Sequence, residues 1–314
     1  MKSRQDTRPE GVEALATALD EALELLHDFR QESGGVALRA DQPASLLDQC
    51  VALCSEYVAS PQEPVRTVHH FACTGGSLLC KCIAAMPNTQ VLSEVDPLST
   101  LGTNPDVHRF APTDMIQLMR QSTRGVNPQV LIELFLSNLD IIHDDAAKAG
   151  QRLVLRDHAH SHFCSGPDIP DRPTFRAMVQ QRLPVLSVLT VRHPIDSYLS
   201  LQANGWLHFE PHTFDEYCRR YLAFLACHED VTVIKYEQFT QQPHETMREV
   251  CASLQLPFSE QFPELFGVFT MSGDSGRKSE SIGARTRREA DAAALREMTS
   301  SRNYRRLQHL LDYD

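Results

Sequence analysis

Three short stretches hold residue types at spacings that could do chemistry. The first is Thr74-Gly75-Gly76-Ser77, which follows an apolar run and opens a helix-patterned stretch. Two glycines and a hydroxyl residue there let backbone N–H groups turn toward an anion at the helix N-terminus, where the dipole favours negative charge. The second is Arg192-His193-Pro194-Ile195-Asp196, with Ser200 eight residues beyond Arg192. A planar guanidinium fork and a hydroxyl converging at a strand end are phosphate ligands, and a salt bridge from Arg192 to Asp196 is the plainer alternative. The third runs from Arg156, Asp157 and His158 to Cys164. On an extended strand His158, His160, His162 and Cys164 would share one face, as a zinc-binding row does. Same-face neighbours on one strand lie about 7 Å apart, too far for three ligands on one metal. No metal is therefore expected, and His160 and His162 read as pocket or surface residues.

The elements that must position these residues follow from the apolar pattern. Residues 10 to 30 and 44 to 58 carry apolar side chains at three- and four-residue spacing, which predicts two amphipathic helices in an N-terminal extension, residues 1–62. From about residue 65, five short runs rich in Val, Ile and Leu (66–72, 89–94, 152–159, 184–193 and 231–237) alternate with helical candidates at 76–86, 128–149, 194–204, 213–228 and 243–254. Thr213 and Glu216 have capping-box spacing. The alternation predicts an α/β domain over 63–314, ending in a final helix, with a central, mainly parallel sheet covered by helices on both faces. In such sheets ligands sit at the carboxyl ends of the strands, where all three stretches fall.

Composition narrows the function classes. The 314 residues carry 42% apolar side chains and a formal charge of -11, an ordinary globular balance that argues against nucleic-acid binding. No run approaches the ~18 apolar residues of a membrane span, and the first residues do not read as a signal peptide, so a cytoplasmic protein is expected. Nine cysteines, an odd number, read as reduced thiols, with Cys50 and Cys54 at helical spacing as core. The stretch around Gly75 also approaches a nucleotide-triphosphate loop. That loop needs a second Gly before its Lys and then Ser or Thr for magnesium, where this chain has Cys80, Lys81 and Cys82. A magnesium-dependent P-loop kinase or NTPase is thus an alternative with two faults.

Taken in order, "TGGSLL", "VRHPIDSYLS", "VIKYEQFTQQPHETMREV" and "SGRKS" resemble the sulfotransferases that use 3'-phosphoadenosine 5'-phosphosulfate (PAPS), over about residues 66 to 285. The resemblance implies a P-loop-like sulfotransferase architecture, PAPS as cosubstrate and PAP as product. It implies that Cys73, Thr74, Gly75, Gly76, Ser77 and Leu78 hold the 5'-phosphosulfate, and that Arg192 and Ser200 hold the 3'-phosphate. Tyr236 would lie by the adenine, and Arg277, Lys278 and Ser279, in a loop at about 270–286, would close over the 3'-phosphate. One departure stands out. The family begins its phosphosulfate loop with Lys or Arg, which neutralises charge on the bridging oxygen, and this chain has Cys73 there. Arg156 is the expected substitute cation, and a catalytically weak PAP-binding scaffold is the alternative that Cys73 keeps open.

The resemblance offers two bases. His158 stands in a segment like the K-(T/D)-H of many cytosolic sulfotransferases, with Arg156 in its lysine position. Glu94 stands one residue late for the glutamate of the carbohydrate and tyrosyl-protein branch. The implied acceptor is a hydroxyl or amine on a saccharide or small molecule, and residues 96–114, rich in turn formers, are the candidate lid over it. Trp206 reads as packing. Arg285 to Arg288 read as a solvated face, with Arg285 close enough to the late loop to help with phosphate.

Overall fold

The computed structural model describes residues 17, 62–101, 110–272, 281–284, 286–290 and 292–313. The chain divides into two units, Met1–Pro61 and Gln62–Asp314, and the fold below is that of the second. The two helices expected at 10–30 and 44–58, with Cys50 and Cys54, lie outside the described residues.

All five sequence-expected runs form strands of one parallel sheet: β1 (Val65–His70), β2 (Thr89–Val95), β3 (Arg152–Asp157), β5 (Val185–Val191) and β7 (Thr232–Lys235), in the order β2-β3-β1-β5-β7. A short parallel pair, β4 (Ser165–Gly166) and β6 (His208–Phe209), lies apart from it. β1 is buried along its whole length, as a central parallel strand covered on both faces must be. The helices Gly76–Ala84, Pro128–Lys148, Pro194–Ala203, Phe214–Ala226 and Pro243–Leu254 stand where the periodicity placed them.

The pleat separates the two covering layers. Val68, Val154, Val188 and Ile234 face a core built on Leu79 and Ile83 of the first helix and Met247 and Val250 of Pro243–Leu254. Leu153 and Leu155 face Leu136 and Leu139 on the other side, and Leu189 and Val191 face an aromatic cluster of Phe71, Tyr217, Tyr221 and Phe224. β3 and β5 flank β1 and lead away from it in opposite directions, so the loop after His70 opens at the point where the strand order reverses.

Two segments depart from expectation. The 152–159 run ends at Asp157, and Ala159–Phe163 is a helix, so His158, His160 and His162 do not form a same-face row on a strand. Thr213 caps its helix by accepting from the Glu216 N–H, but Glu216 does not reach back as a capping box requires. Its carboxylate instead binds Arg219 and the buried Arg220.

Arg220 spends the rest of its guanidinium on the carbonyls of Phe163, Ser165, Gly166 and Pro167, tying the short β4 segment to the aromatic layer. Removing it would strand a half-buried carboxylate and several carbonyls without donors. Arg220→Met is expected to lower unfolding free energy by about 3–5 kcal/mol in urea titrations, and an unchanged midpoint would show that the carbonyls find other partners.

Candidate active site

The loop after β1 is shaped by backbone and rings. Cys73 and Gly75 both adopt left-handed conformations, φ 63° and 99°, a turn that carries the chain from strand to helix. A Cβ at Gly75 would stand 2.5 Å from Cδ2 of Tyr236, and one at Gly76 would stand 2.5 Å from Cγ of His70. The double glycine is thus required by two aromatic rings that close on the loop. Thr74 is fully buried and donates to the Phe71 carbonyl at 2.8 Å, with Thr190 at 3.2 Å, so its hydroxyl fastens the loop to β5. Gly75 supplies no side-chain cap to the helix Gly76–Ala84. The positive end of the helix dipole therefore faces the loop that Ser77 and Leu78 continue.

Cations gather at the same loop. The Arg192 guanidinium carbon sits 4.7 Å over the Tyr236 ring, and Nη1 approaches the Cys73 carbonyl at 3.5 Å. Burial pushes the Cys73 thiol up to about 12, against the opposing charges of Arg192 and Arg288 and a contact from Asn204. The thiol is therefore neutral at neutral pH. Among the described residues, the buried Nε–H groups of both Arg192 and Arg288 find no acceptor. Orphaned guanidinium donors are costly to bury, and two of them whose charges reach the loop at the positive end of a helix dipole form a cradle for an anion. Asp196 pairs with Arg287 at 2.8 Å, and no salt bridge joins it to Arg192. Ser200 is buried on Pro194–Ala203, two turns beyond Arg192.

A second cluster lies across the loop, at the ends of β2 and β3. β2 gains one residue on β3 between Leu92 and Val95, and within that bulge Glu94 takes φ 61°. A left-handed glutamate is strained by about 1–3 kcal/mol, a cost that survives only where neighbours hold the residue in place. Arg156 is the holder. Its Nη2 meets Glu94 Oε1 at 2.6 Å, Nη1 reaches Ser93 and the Ser272 carbonyl, and Nε donates to His70 Nε2 at 3.0 Å. His70 therefore accepts at Nε2 and donates from Nδ1 to the Phe71 carbonyl, a neutral tautomer that burial and Arg156 both enforce. The second oxygen of Glu94 faces His158 Nε2 at 3.4 Å, and His158 Nδ1 faces Ser99 at 3.3 Å. Desolvation pushes Glu94 above the ordinary carboxylate range, opposed by Arg156 and His158, and pushes His158 below the ordinary imidazole range.

Thus Glu94, Arg156 and His158 stand in one cluster, and Cys73 to Leu78, Arg192 and Tyr236 in another, joined through His70, which touches both Gly76 and Arg156. Arg156 is fully engaged with Glu94, His70 and two oxygens rather than with the glycine loop. Arg277, Lys278, Ser279 and Arg285 lie outside the described residues, as do 102–109 of the expected lid. Of that lid, the carbonyls of Pro97 and Ser99 are held by Arg120. Sequence reasoning missed Arg288 and His70. Arg288 carries no local signal beyond its charge, while His70 ends an apolar run and could have been flagged as a strand-end residue.

No family model matches the sequence, and no curated protein does. Solved structures do. The sulfotransferase domain from the curacin biosynthetic pathway is 13% identical, with a TM-score of 0.47, over 81% of this chain and 99% of that one. The sulfotransferase domain from the Synechococcus PCC 7002 olefin synthase is 13% identical at a TM-score of 0.43, over 81% and 97%. A sulfotransferase from Alicyclobacillus acidocaldarius is 17% identical at 0.43, over 81% and 98%. The likeness is one of fold.

Because the folded state raises the pKa of Glu94 above its ordinary 4.5, it binds more protons than the unfolded chain just above that pH. This contribution to stability is fully present below the ordinary value and is lost as pH rises through the folded one. Urea titrations over that interval are expected to show a downward slope that is absent in Glu94→Gln; equal slopes would place the raised carboxyl elsewhere.

Proposed function

We propose that this chain is a sulfotransferase that moves a sulfuryl group from PAPS to a hydroxyl or amine of a saccharide or small-molecule acceptor. The observation that carries the reading is the pair of buried Nε–H groups of Arg192 and Arg288, without partners among the described residues, beside a glycine loop that leads into the positive end of a helix dipole. Such a site is complementary to a compact polyanion. Tyr236, packed against Gly75 under Arg192, supplies a flat face beside it for a base.

In this reading the amides of the loop and the first helical turn hold the 5'-phosphosulfate, and Arg192 with Ser200 holds the 3'-phosphate. Arg288 takes the place of the cation missing at position 73, since a neutral Cys73 thiol cannot neutralise the bridging oxygen. PAPS supplies the activated sulfuryl group. Glu94 is the base: Arg156 fixes one carboxylate oxygen, leaving the other directed at His158 and able to take the acceptor proton. His158 orients the acceptor and the carboxylate. Rate enhancement rests on alignment and charge placement, as in phosphoryl transfer.

PAP is expected to raise the melting temperature equally with and without magnesium, whereas the kinase or NTPase alternative requires an ATP shift that depends on magnesium. Absence of any PAP shift would overturn the proposal. Glu94→Gln is expected to lower kcat by about 10²- to 10⁴-fold with PAP binding retained, and His158→Asn to lower it less; the reverse order would make His158 the base. Arg288→Met should reduce kcat by about 10²-fold or more, and Cys73→Lys should restore part of that loss. Turnover unaffected by Arg288→Met would leave the loop without its cation and favour the scaffold alternative.

A further inference from the structure

The opposite face of the same two strands carries a cluster that the reaction above does not use. His69 of β1, Asp157 of β3 and His228, just beyond the helix Phe214–Ala226, are buried together, at 0%, 4% and 1% exposure. Their ligand atoms all lie within 4.8 Å of one another. His69 Nδ1 meets Asp157 Oδ2 at 2.8 Å, and the two imidazole rings lie 4.5 Å apart.

We propose that His69, Asp157 and His228 bind a divalent transition-metal ion of the zinc class as a structural site beneath the candidate active site. Two imidazoles and a carboxylate are a donor set that such an ion prefers over magnesium or calcium, which favour oxygen.

The outer partners orient the donors. His228 Nδ1 donates to the Phe224 carbonyl at 2.8 Å, which leaves Nε2 as a lone pair; that atom is buried and, among the described residues, has no partner. His69 Nε2 meets Thr67 Oγ1 at 2.9 Å, and Thr67 in turn meets Ser187 at 2.7 Å, so Nδ1, which shares a proton with Asp157, is the nitrogen that faces the cluster. An imidazole whose second nitrogen is held by a carbonyl or hydroxyl is the usual state of a metal-bound histidine. The charge of neighbouring Arg176 is already paired with Asp230 through two hydrogen bonds, at 2.7 and 2.8 Å.

Tetrahedral ligands with bonds of about 2.1 Å stand about 3.4 Å apart, so closure needs the widest pair to draw in by up to about 1.4 Å, through a turn of the His228 ring, and the His69–Asp157 pair, now at 2.8 Å, to open by about 0.6 Å. On binding, the proton shared by His69 and Asp157 leaves to solvent, both become ligands, and one proton is released per ion. The ion would join β1, β3 and the end of the 214–226 helix, and so fix the backbone that carries Arg156 and His158. The site stands or falls independently of the reaction proposed for the other face.

The test uses the full chain without an affinity tag, refolded with excess zinc, desalted and assayed for metal by inductively coupled plasma mass spectrometry. At least about half an ion per chain is expected, and less overturns the proposal. X-ray absorption of the loaded protein should show a first shell of nitrogen and oxygen; sulfur in that shell would assign the ion to cysteines and overturn it equally. In His228→Gln the zinc content should fall at least fivefold, and retention would place the metal elsewhere. Should that variant fail to fold, the metal content and first shell of the unmodified chain decide alone.

Discussion

The pairing of β1 with β3 is the constraint on which the rest depends. Adjacent residues on a strand point to opposite faces, so two neighbouring dipeptides, His69-His70 and Arg156-Asp157, are each split between two environments. His70 and Arg156 go to the face of the glycine loop and meet at 3.0 Å, while His69 and Asp157 go to the other face and meet at 2.8 Å. A slip of one residue in either strand would exchange the two sets, putting a guanidinium into the aromatic core. The buried hydrophobic pattern on both sides forbids the slip, and in this way ordinary packing fixes the position of the reactive groups.

Arg156 turns that register into a site. It holds a glutamate in a left-handed conformation at the bulge of β2, fixes the tautomer of His70, and reaches the Ser272 carbonyl from a distant part of the chain. The Arg156 side chain is buried and the Glu94 carboxylate nearly so, a setting where an unmatched charge would be expensive, so Glu94 and Arg156 each require the other. The strain at Glu94 and the burial of its carboxylate are two costs at one residue, a combination that cores avoid and reaction centres use. Around the loop the imbalance has the opposite sign: Arg192 and Arg288 bring buried donors with no acceptor among the described residues, and burial holds the Cys73 thiol neutral despite their charges. A base rich in negative charge on one side and an anion cradle on the other is the polarity that group transfer between two bound molecules needs.

Much of the architecture was legible because the apolar periods are clean. Five Val- and Ile-rich runs became five parallel strands, and five helical candidates became helices, four of them opened by Pro or by the Thr213 cap and one by the glycine loop. The failures have physical causes. The alternating histidines after Asp157 mimic a strand, but β3 ends where its partner β2 bulges, and the chain turns into the helix Ala159–Phe163. Thr213 capped its helix as the spacing implied, yet Glu216 was drawn off by Arg219 and by Arg220, whose buried charge it neutralises. Arg288 could not be read at all, since nothing near it in sequence separates a solvated arginine from one with a buried Nε–H whose charge reaches Cys73.

The sequence by itself determined the layering, the strand-end position of Gly75, Arg192, Arg156 and Tyr236, and the oddity of Cys73. These follow from periodicity and from which residues tolerate a tight turn, both local properties. Only the tertiary structure decided which of those strand ends meet. It set Glu94 against Arg156 across a bulge, His70 against Gly76, Tyr236 against Gly75, and His69 and Asp157 against His228. Each of those contacts joins residues from separate elements, and their distances depend on strand order and register. Those are chosen by the burial of the whole core, and no short stretch of sequence encodes them.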